Sequence, residues 1–404
     1  MFTLLISALW FVAFVWLVTA VLTLHGLSRQ KPLLATPNLR LTASDAPLVS
    51  ILVPARNEQQ RVPEVCIRSI LAQDYGNFEV IAVNDRSTDN TGTILKTLAT
   101  SDERLLVIEG EELPPGWLGK PYAMQQALSH ARGEWILATD ADMIFEVAAL
   151  RTALDRVLET NEDALTLIPR FETGSFWERV MIPTWEWVFL MFTIFYRIND
   201  PKSDRAAAIG GFFLIRHTVL DRVGGYEALK DEVMEDVRLA DRIKRSNARL
   251  LIQPAPALIR TRMYTTFSEM WECSTKNWFS GVNFSFPLAL GCVVSMYLGA
   301  VAPPLIGLVS VSATVLGINA GLGPVIVAAA MSWILQVLIL AIVSRHSEVS
   351  VVYALTTPLG LALIYAMLFD SGIRITTGRG VTWKGRRIYD RRGVRPPRTS
   401  RSEA

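Results

Sequence analysis

Apolar positions along the chain fall into three regimes. Phe2 to Leu24 is an almost uninterrupted apolar run, long enough to cross a bilayer as a helix. It has neither a basic leading region nor a small-residue cleavage site, so residues 1–25 read as an uncleaved anchor rather than a signal peptide. From Val49 to about Ile259, short apolar runs alternate with helix-like segments. Strands are predicted over Val49–Pro54, Phe78–Asn84, Leu105–Ile108, Glu134–Thr139 and Ala164–Ile168, with helices beginning near Arg61, Asp89, Lys120 and Val147. This alternation predicts an α/β domain, a mostly parallel sheet flanked by helices, over residues 45–280. In the third regime, residues 286–371, the stretches Leu288–Ser312, Pro324–Val343 and Val351–Phe369 are each long enough to span.

One segment inside the α/β region does not fit the alternation. Residues 175–197 carry Phe176, Trp177, Trp185, Trp187, Phe189, Phe192, Phe195 and Tyr196, interrupted by Glu178, Arg179 and Glu186. The mixture predicts a helix lying in the membrane interface, with a buried core helix as the alternative.

Charge sets an orientation and raises a conflict. His25, Arg29, Lys31 and Arg40 follow the first apolar run, which places its C-terminal side and the α/β domain in the cytoplasm. Residues 372–404 form a basic tail; from Arg374 to Ala404 there are ten Lys or Arg against two acids. Such a tail favours the cytoplasmic side and anionic headgroups. Three crossings after a cytoplasmic domain, however, put it outside. Either one stretch is re-entrant, with Pro303-Pro304 the expected break, or the tail departs from the charge rule.

Composition agrees with a globular domain held between membrane segments: half the residues are hydrophobic and mean hydropathy is +0.30. A net charge of +2 gives no sign of a nucleic-acid partner. Cys66, Cys273 and Cys292 are too widely spaced for a metal pattern, and a disulfide framework is not expected.

Candidate chemistry lies at the predicted strand ends, where open α/β sheets bind ligands. The first strand ends in Val53-Pro54-Ala55-Arg56-Asn57-Glu58, the second in Asn84-Asp85-Arg86-Ser87-Thr88-Asp89. Asp140-Ala141-Asp142 closes the strand at Thr139; residues i and i+2 of an extended segment share a side, so the two carboxylates suit Mg²⁺ or Mn²⁺ with positions left for diphosphate oxygens. Glu235-Asp236 opens a helix-like stretch running to about Ser246, where the helix dipole favours an anionic base. Taken singly, each motif is also what a turn or helix cap requires.

Their order and spacing carry more. The set Pro-Ala-Arg-Asn-Glu, Asn-Asp-Arg-Ser-Thr-Asp, Gly119-Lys120, Asp-Ala-Asp, Gly210-Gly211 and Glu-Asp resembles the family-two inverting glycosyltransferases of GT-A fold over about residues 49–280. The resemblance implies a nucleotide-sugar donor and a divalent cation. It assigns Pro54, Ala55, Asn57, Glu58 and Asp85 to a nucleoside pocket, Lys120 to the donor side, Asp140 to the ribose and sugar, and Asp142 to the metal. Asp236 matches the catalytic base, with Glu235 beside it as an acceptor-side residue, and Gly210-Gly211 the loop beneath the acceptor. Gly380-Val381-Thr382-Trp383-Lys384-Gly385-Arg386 and the anchors resemble membrane glycolipid-forming members such as ceramide glucosyltransferases and carotenoid- or hopanoid-associated enzymes.

Processive synthases carry Gln-x-x-Arg-Trp near the membrane; here Ser274-Thr275-Lys276-Asn277-Trp278 keeps only Trp278 as an acceptor-side residue. The reading is an inverting transferase acting on a lipid hydroxyl at the cytoplasmic membrane, with a lean toward a UDP-linked donor. Transfer to a polyprenyl phosphate, a processive synthase and a non-catalytic membrane scaffold are the alternatives.

Overall fold

The computed structural model describes residues 2–35, 46–61, 63–193, 195–318 and 321–389. Arg40 and the tail beyond Tyr389 lie outside the described residues. The chain divides into two units, one comprising residues 30–172 and 193–263, the other residues 1–29, 173–192 and 264–404.

The first unit is built on strands β1 (Val49–Ala55), β2 (Phe78–Asn84), β3 (Leu105–Glu109), β4 (Trp135–Ala138), β5 (Met143–Phe145), β6 (Ala164–Ile168), β7 (Arg170–Phe171), β8 (Phe213–Arg216), β9 (Leu250–Pro254) and β10 (Ile259–Thr261). Seven form one sheet in the order β3-β2-β1-β4-β8-β6-β9. All neighbours are parallel except those of β8, which runs antiparallel to both β4 and β6. The predicted mostly parallel sheet is therefore present. β1 and β2 are buried along nearly their whole length because helices cover both faces, which is why they read as continuous apolar runs rather than alternating ones. The predicted helices form as Pro63–Leu71, Thr91–Ala99, Gly119–Leu128 and Ala149–Thr160. A second small sheet, β5-β10-β7, follows the end of β4.

The second unit is helical. Among the described residues four helical runs are long and apolar enough to cross a membrane: Phe2–Ser28, Phe286–Val315, Gly323–His346 and Val351–Thr376. Pro303-Pro304 does not break its run. A π-helical turn over Tyr297–Val301 leads into Ala302–Val315, so the run continues through the prolines, and the Gly299 carbonyl in that turn accepts from Trp16 Nε1. The last apolar segment continues as helix to Thr376, and the start of the tail is a hairpin pairing Val381–Trp383 with Arg386–Ile388.

The aromatic segment is helical, as Phe176–Thr193, but groups with the membrane helices rather than the α/β unit. Much of it is core: Val180, Met181, Ile182, Thr184, Trp187, Val188 and Leu190 are buried, and among its described large apolar side chains only Phe176 is strongly exposed. Trp187 packs on Trp16 at 5.7 Å between ring centroids and donates to the Thr23 hydroxyl. Its acids have partners within the protein. Glu178 is fully buried because it reaches back to the Gly174 and Ser175 amides while the Ser175 hydroxyl accepts from the Glu178 amide, a capping box rather than a solvated charge. Residues 264–280, expected within the α/β domain, also belong here as helix Phe267–Gly281, which carries Trp278.

Candidate active site

The loops after β1 and β2 are joined side by side. The Asp85 amide donates to the Ala55 carbonyl, Asn57 N to Ser87 Oγ at 3.1 Å, and Thr88 N to Asn57 Oδ1 at 2.8 Å. The Glu58 amide donates to Thr91 Oγ1 and Gln59 N to Asp89 Oδ2. Arg56 lays its guanidinium on the carbonyls of Asp85 and Arg86 at 2.7 and 3.1 Å. Asn57 and Arg86 both adopt positive φ, 50° and 52°, which turns each loop sharply back at the strand end. Pro54, Ala55, Asn57, Glu58 and Asp85 are thus together, with Glu58 and Asp85 buried. Asp85 accepts from Arg86 at 2.7 Å, so a charged pair occupies the floor of the expected nucleoside pocket.

A second cluster forms where β4, the helix Gly119–Leu128 and the helix Glu235–Arg245 converge. Lys120 Nζ lies 2.6 Å from Asp140 Oδ1 and 2.7 Å from Glu235 Oε1. Asp236 accepts from Gly210 N and Val237 N, each at 2.8 Å. The helix carries Glu235 and Asp236 in its first turn and Arg242, Lys244 and Arg245 in its last, complementing its dipole. Leu239, Ala240 and Ile243 anchor it in the core. Burial, and then the neighbouring Glu235, raises the Asp236 pKa to about 6. Burial alone would lower the Lys120 pKa, but Asp140, Glu235 and Asp236 outweigh it and hold the ammonium well above its ordinary value.

The glycine pair explains how these groups come so close. A Cβ on Gly210 would stand 3.0 Å from Lys120 Nζ, 3.3 Å from Asp236 Oδ2 and 3.6 Å from Asp140 Oδ2. A Cβ on Gly211 would stand 2.6 Å from Met143 Sδ, while its carbonyl accepts from Thr139 Oγ1. Gly211 is therefore used to pack the loop against β5, and Gly210 to admit the charged groups. Gly210→Ala is expected to push Lys120 from its position between two carboxylates and to lower transfer roughly 100-fold, the scale of a misplacement of about 1 Å, with thermal stability changed little. Steady-state kinetics beside a melting curve check this.

Beneath both clusters lies Cys66, its thiol 3.6 Å from the Asp140 carbonyl. Burial first, and the fields of Asp142, Glu58 and Asp140 with it, hold that thiol protonated. Asp142 follows the end of β4 half-buried. Among the described residues no group of three or more His, Cys, Asp or Glu assembles as a metal cage. With Asp140 engaged by Lys120, the donor set fits a divalent cation held by one or two carboxylates and completed by phosphate oxygens, a usual arrangement for Mg²⁺.

Sequence spacing does not reveal Tyr226. It lines the same small pocket as Lys120, Thr139, Gly210, Glu235 and Asp236, and burial, then Glu235, raises its phenol pKa. Trp278 lies on helix Phe267–Gly281, in the other unit.

The chain is similar to known proteins over the same region. The family described as Glycosyl transferase family 2 matches residues 50–224. Glycosyltransferase GlyG of Streptococcus pneumoniae serotype 4 is 34% identical over 118 residues, 29% of this chain and 38% of the relative. The 4,4'-diaponeurosporenoate glycosyltransferase of Staphylococcus aureus strain USA300 is 23% identical over 257 residues, 63% of this chain and 67% of the relative. Among solved structures, a mannosyltransferase from Pyrobaculum calidifontis in complex with GDP-Man and Mn²⁺ aligns with a TM-score of 0.55 at 17% identity, covering 92% of this chain and 98% of that one. At that identity the likeness is one of fold. Residues 50–224 are a glycosyl transferase family 2 domain of GT-A-like fold, in a chain that also carries helices long and apolar enough to cross a membrane.

Proposed function

We propose that the chain transfers a sugar from a nucleotide-sugar to the hydroxyl of a membrane lipid, with inversion at the anomeric carbon. The observation that carries this reading is the cluster at Gly210, where a half-buried carboxylate of raised pKa, Asp236, stands beside a lysine set between Asp140 and Glu235. A carboxylate of pKa about 6 is ionised at neutral pH yet basic enough to take a proton from an alcohol as it attacks.

In the proposed reaction the acceptor oxygen bonds to the anomeric carbon as the bond from that carbon to the diphosphate oxygen breaks. The proton passes to Asp236, and the nucleoside diphosphate leaves with the electron pair. Gly210 N and Val237 N hold the Asp236 carboxylate in place. Lys120 fixes Asp140 and Glu235 and brings positive charge to the donor side. Asp142, with Asp140 adjacent, would hold Mg²⁺ or Mn²⁺, which when bound neutralises charge on the departing diphosphate. The joined loops at Pro54, Ala55, Asn57, Glu58 and Asp85 take the nucleoside. Gly211 supports the acceptor side only through its packing on Met143.

A lipid acceptor is supported by the membrane-capable helices and by the relative named for 4,4'-diaponeurosporenoate, a carotenoid-type acceptor. A divalent cation is supported by the Mn²⁺ in the Pyrobaculum neighbour. That neighbour was solved with GDP-Man, so a donor panel includes GDP- as well as UDP-sugars. His25 in the last turn of the first helix, with Arg29 and Lys31 beyond it, supports a cytoplasmic α/β unit at the inner membrane. The test is whether purified protein builds a glycolipid of inverted configuration from such donors and extracted lipid.

A further inference from the structure

We propose that the segment Val351–Thr376 enters the membrane and returns to the side from which it started. The chain then crosses three times, and the basic hairpin after this segment lies on the side where the chain passes to the α/β unit. By length the segment qualifies as a span, since its 20-residue helix Thr357–Thr376 is about 30 Å long. Its contacts within the helical unit say otherwise.

Two elements mark the side of the α/β unit. Helix Phe176–Thr193 starts and ends at boundaries with that unit, so a single pass through it cannot cross. Helix Phe267–Gly281 follows the return of the chain at Tyr264, and its Glu269, Glu272, Lys276 and Asn277 suit an aqueous or interfacial position.

The crossing helices can be oriented against these markers. Phe2–Ser28 meets the first marker near its C-terminal end, through Thr23 and Trp187. Its N-terminal half packs Leu9 against Val325, Ala328 and Ala329. Gly323–His346 therefore runs in the same direction as the first helix, and just beyond its end the Ser347 hydroxyl bonds Glu186 of the same marker. The run Phe286–Val315 starts close behind the second marker, and its Gly307 meets Ala329, so it crosses the opposite way. The sequence joining it to Gly323 has no charged residue, whereas Arg345 and His346 lie at the other end of the next helix.

Both ends of Val351–Thr376 then touch the markers. At its start the Tyr353 hydroxyl accepts from Arg179 at 3.3 Å. At its end Asp370 accepts from Trp271 Nε1 at 2.8 Å, Ser371 donates to the Thr275 carbonyl, and Gly372 packs against Phe279 and Phe286. Between them Ala362 accepts from the Tyr297 hydroxyl. Tyr297 is eleven residues into its helix from Phe286, a depth of roughly 16 Å, or about half the hydrocarbon core. A crossing helix would show such contacts at one end only.

The hairpin follows on this side, with Lys276 Nζ 4.5 Å from the Trp383 ring centre. Arg374, Arg379, Lys384, Arg386 and Arg387 then face the same headgroup layer as Arg29 and Lys31, which restores agreement with the charge rule.

Single-cysteine chains made in a background with Cys66, Cys273 and Cys292 replaced by Ser test this. Glu103→Cys reports the α/β unit, Ile318→Cys the opposite loop, and Thr382→Cys and Arg387→Cys the hairpin. Each is treated in intact cells and in permeabilised membranes with an impermeant maleimide. Equal behaviour of positions 382 and 387 with 103, and opposite behaviour of 318, is expected. Hairpin cysteines that label with 318 and against 103 overturn the proposal. The comparison is internal, so it holds whichever side the α/β unit occupies and whatever the chain transfers.

Discussion

Asp236→Asn is expected to lower transfer to a lipid hydroxyl by roughly two to four orders of magnitude, the usual worth of general-base assistance. The substitution keeps the size of the side chain and one oxygen able to accept from Gly210 N or Val237 N, but it removes the base. Donor affinity, measured by calorimetry with Mn²⁺ present, is expected to change only a few-fold. The wild-type pH profile should show the same group. Because burial raises the Asp236 pKa to about 6, kcat/KM is expected to fall as pH drops through that value, and the limb to disappear in the Asn variant's residual activity. A variant that keeps near wild-type turnover would assign an acceptor with no proton to lose, a phosphate or carboxylate. A folded variant that loses donor binding would move Asp236 into the donor site.

Removal of the divalent cation is expected to have an effect of similar size. Charge stabilisation by a bound metal is worth several kcal/mol, or roughly three orders of magnitude in rate. Excess EDTA should abolish transfer, and Mn²⁺ or Mg²⁺ should restore it. Asp142→Asn should raise the metal concentration needed for half-maximal rate at least roughly tenfold, because a carboxylate ligand is exchanged for a neutral one. It should leave the melting temperature nearly unchanged, since Asp142 is half-buried rather than part of the core. Full activity in EDTA with metal-free donor contradicts this assignment.

Much of the fold was legible because its central strands are covered on both faces. β2 and β6 fall at the predicted limits and β1 within a residue of them, since a strand buried on both faces shows as an apolar run bounded by turn residues. β8 and β9 were not marked, although β9 is as long and as buried as β6. The acidic motifs pointed to the right strand and helix ends, but spacing along the chain says nothing of their mutual contacts. That Lys120 would bridge Asp140 and Glu235, and that Gly210 would underlie all three charged groups, follows from the convergence of separate elements. Glu235 was read as an acceptor residue and its ion pair with Lys120 was not foreseen. The membrane segments show the same division. Length and hydropathy found each apolar run, whereas the contacts at the ends of Val351–Thr376 come from its neighbours and have no counterpart in its own composition.

Transfer of a sugar from a nucleotide-sugar to a lipid leaves a product whose mass and anomeric configuration can be read. Purified full-length protein is incubated with single UDP- and GDP-sugars, Mn²⁺ and total lipid extract, and the extract is then analysed by mass spectrometry, with NMR of the isolated product. Expected are one or more lipids heavier by a single sugar residue, with the anomeric configuration opposite to the donor's, formed by Asp236→Asn at roughly two to four orders of magnitude lower rate. Donor consumed without a lipid product, a product that retains the donor's configuration, or no turnover of any donor by folded protein would contradict the proposed transfer.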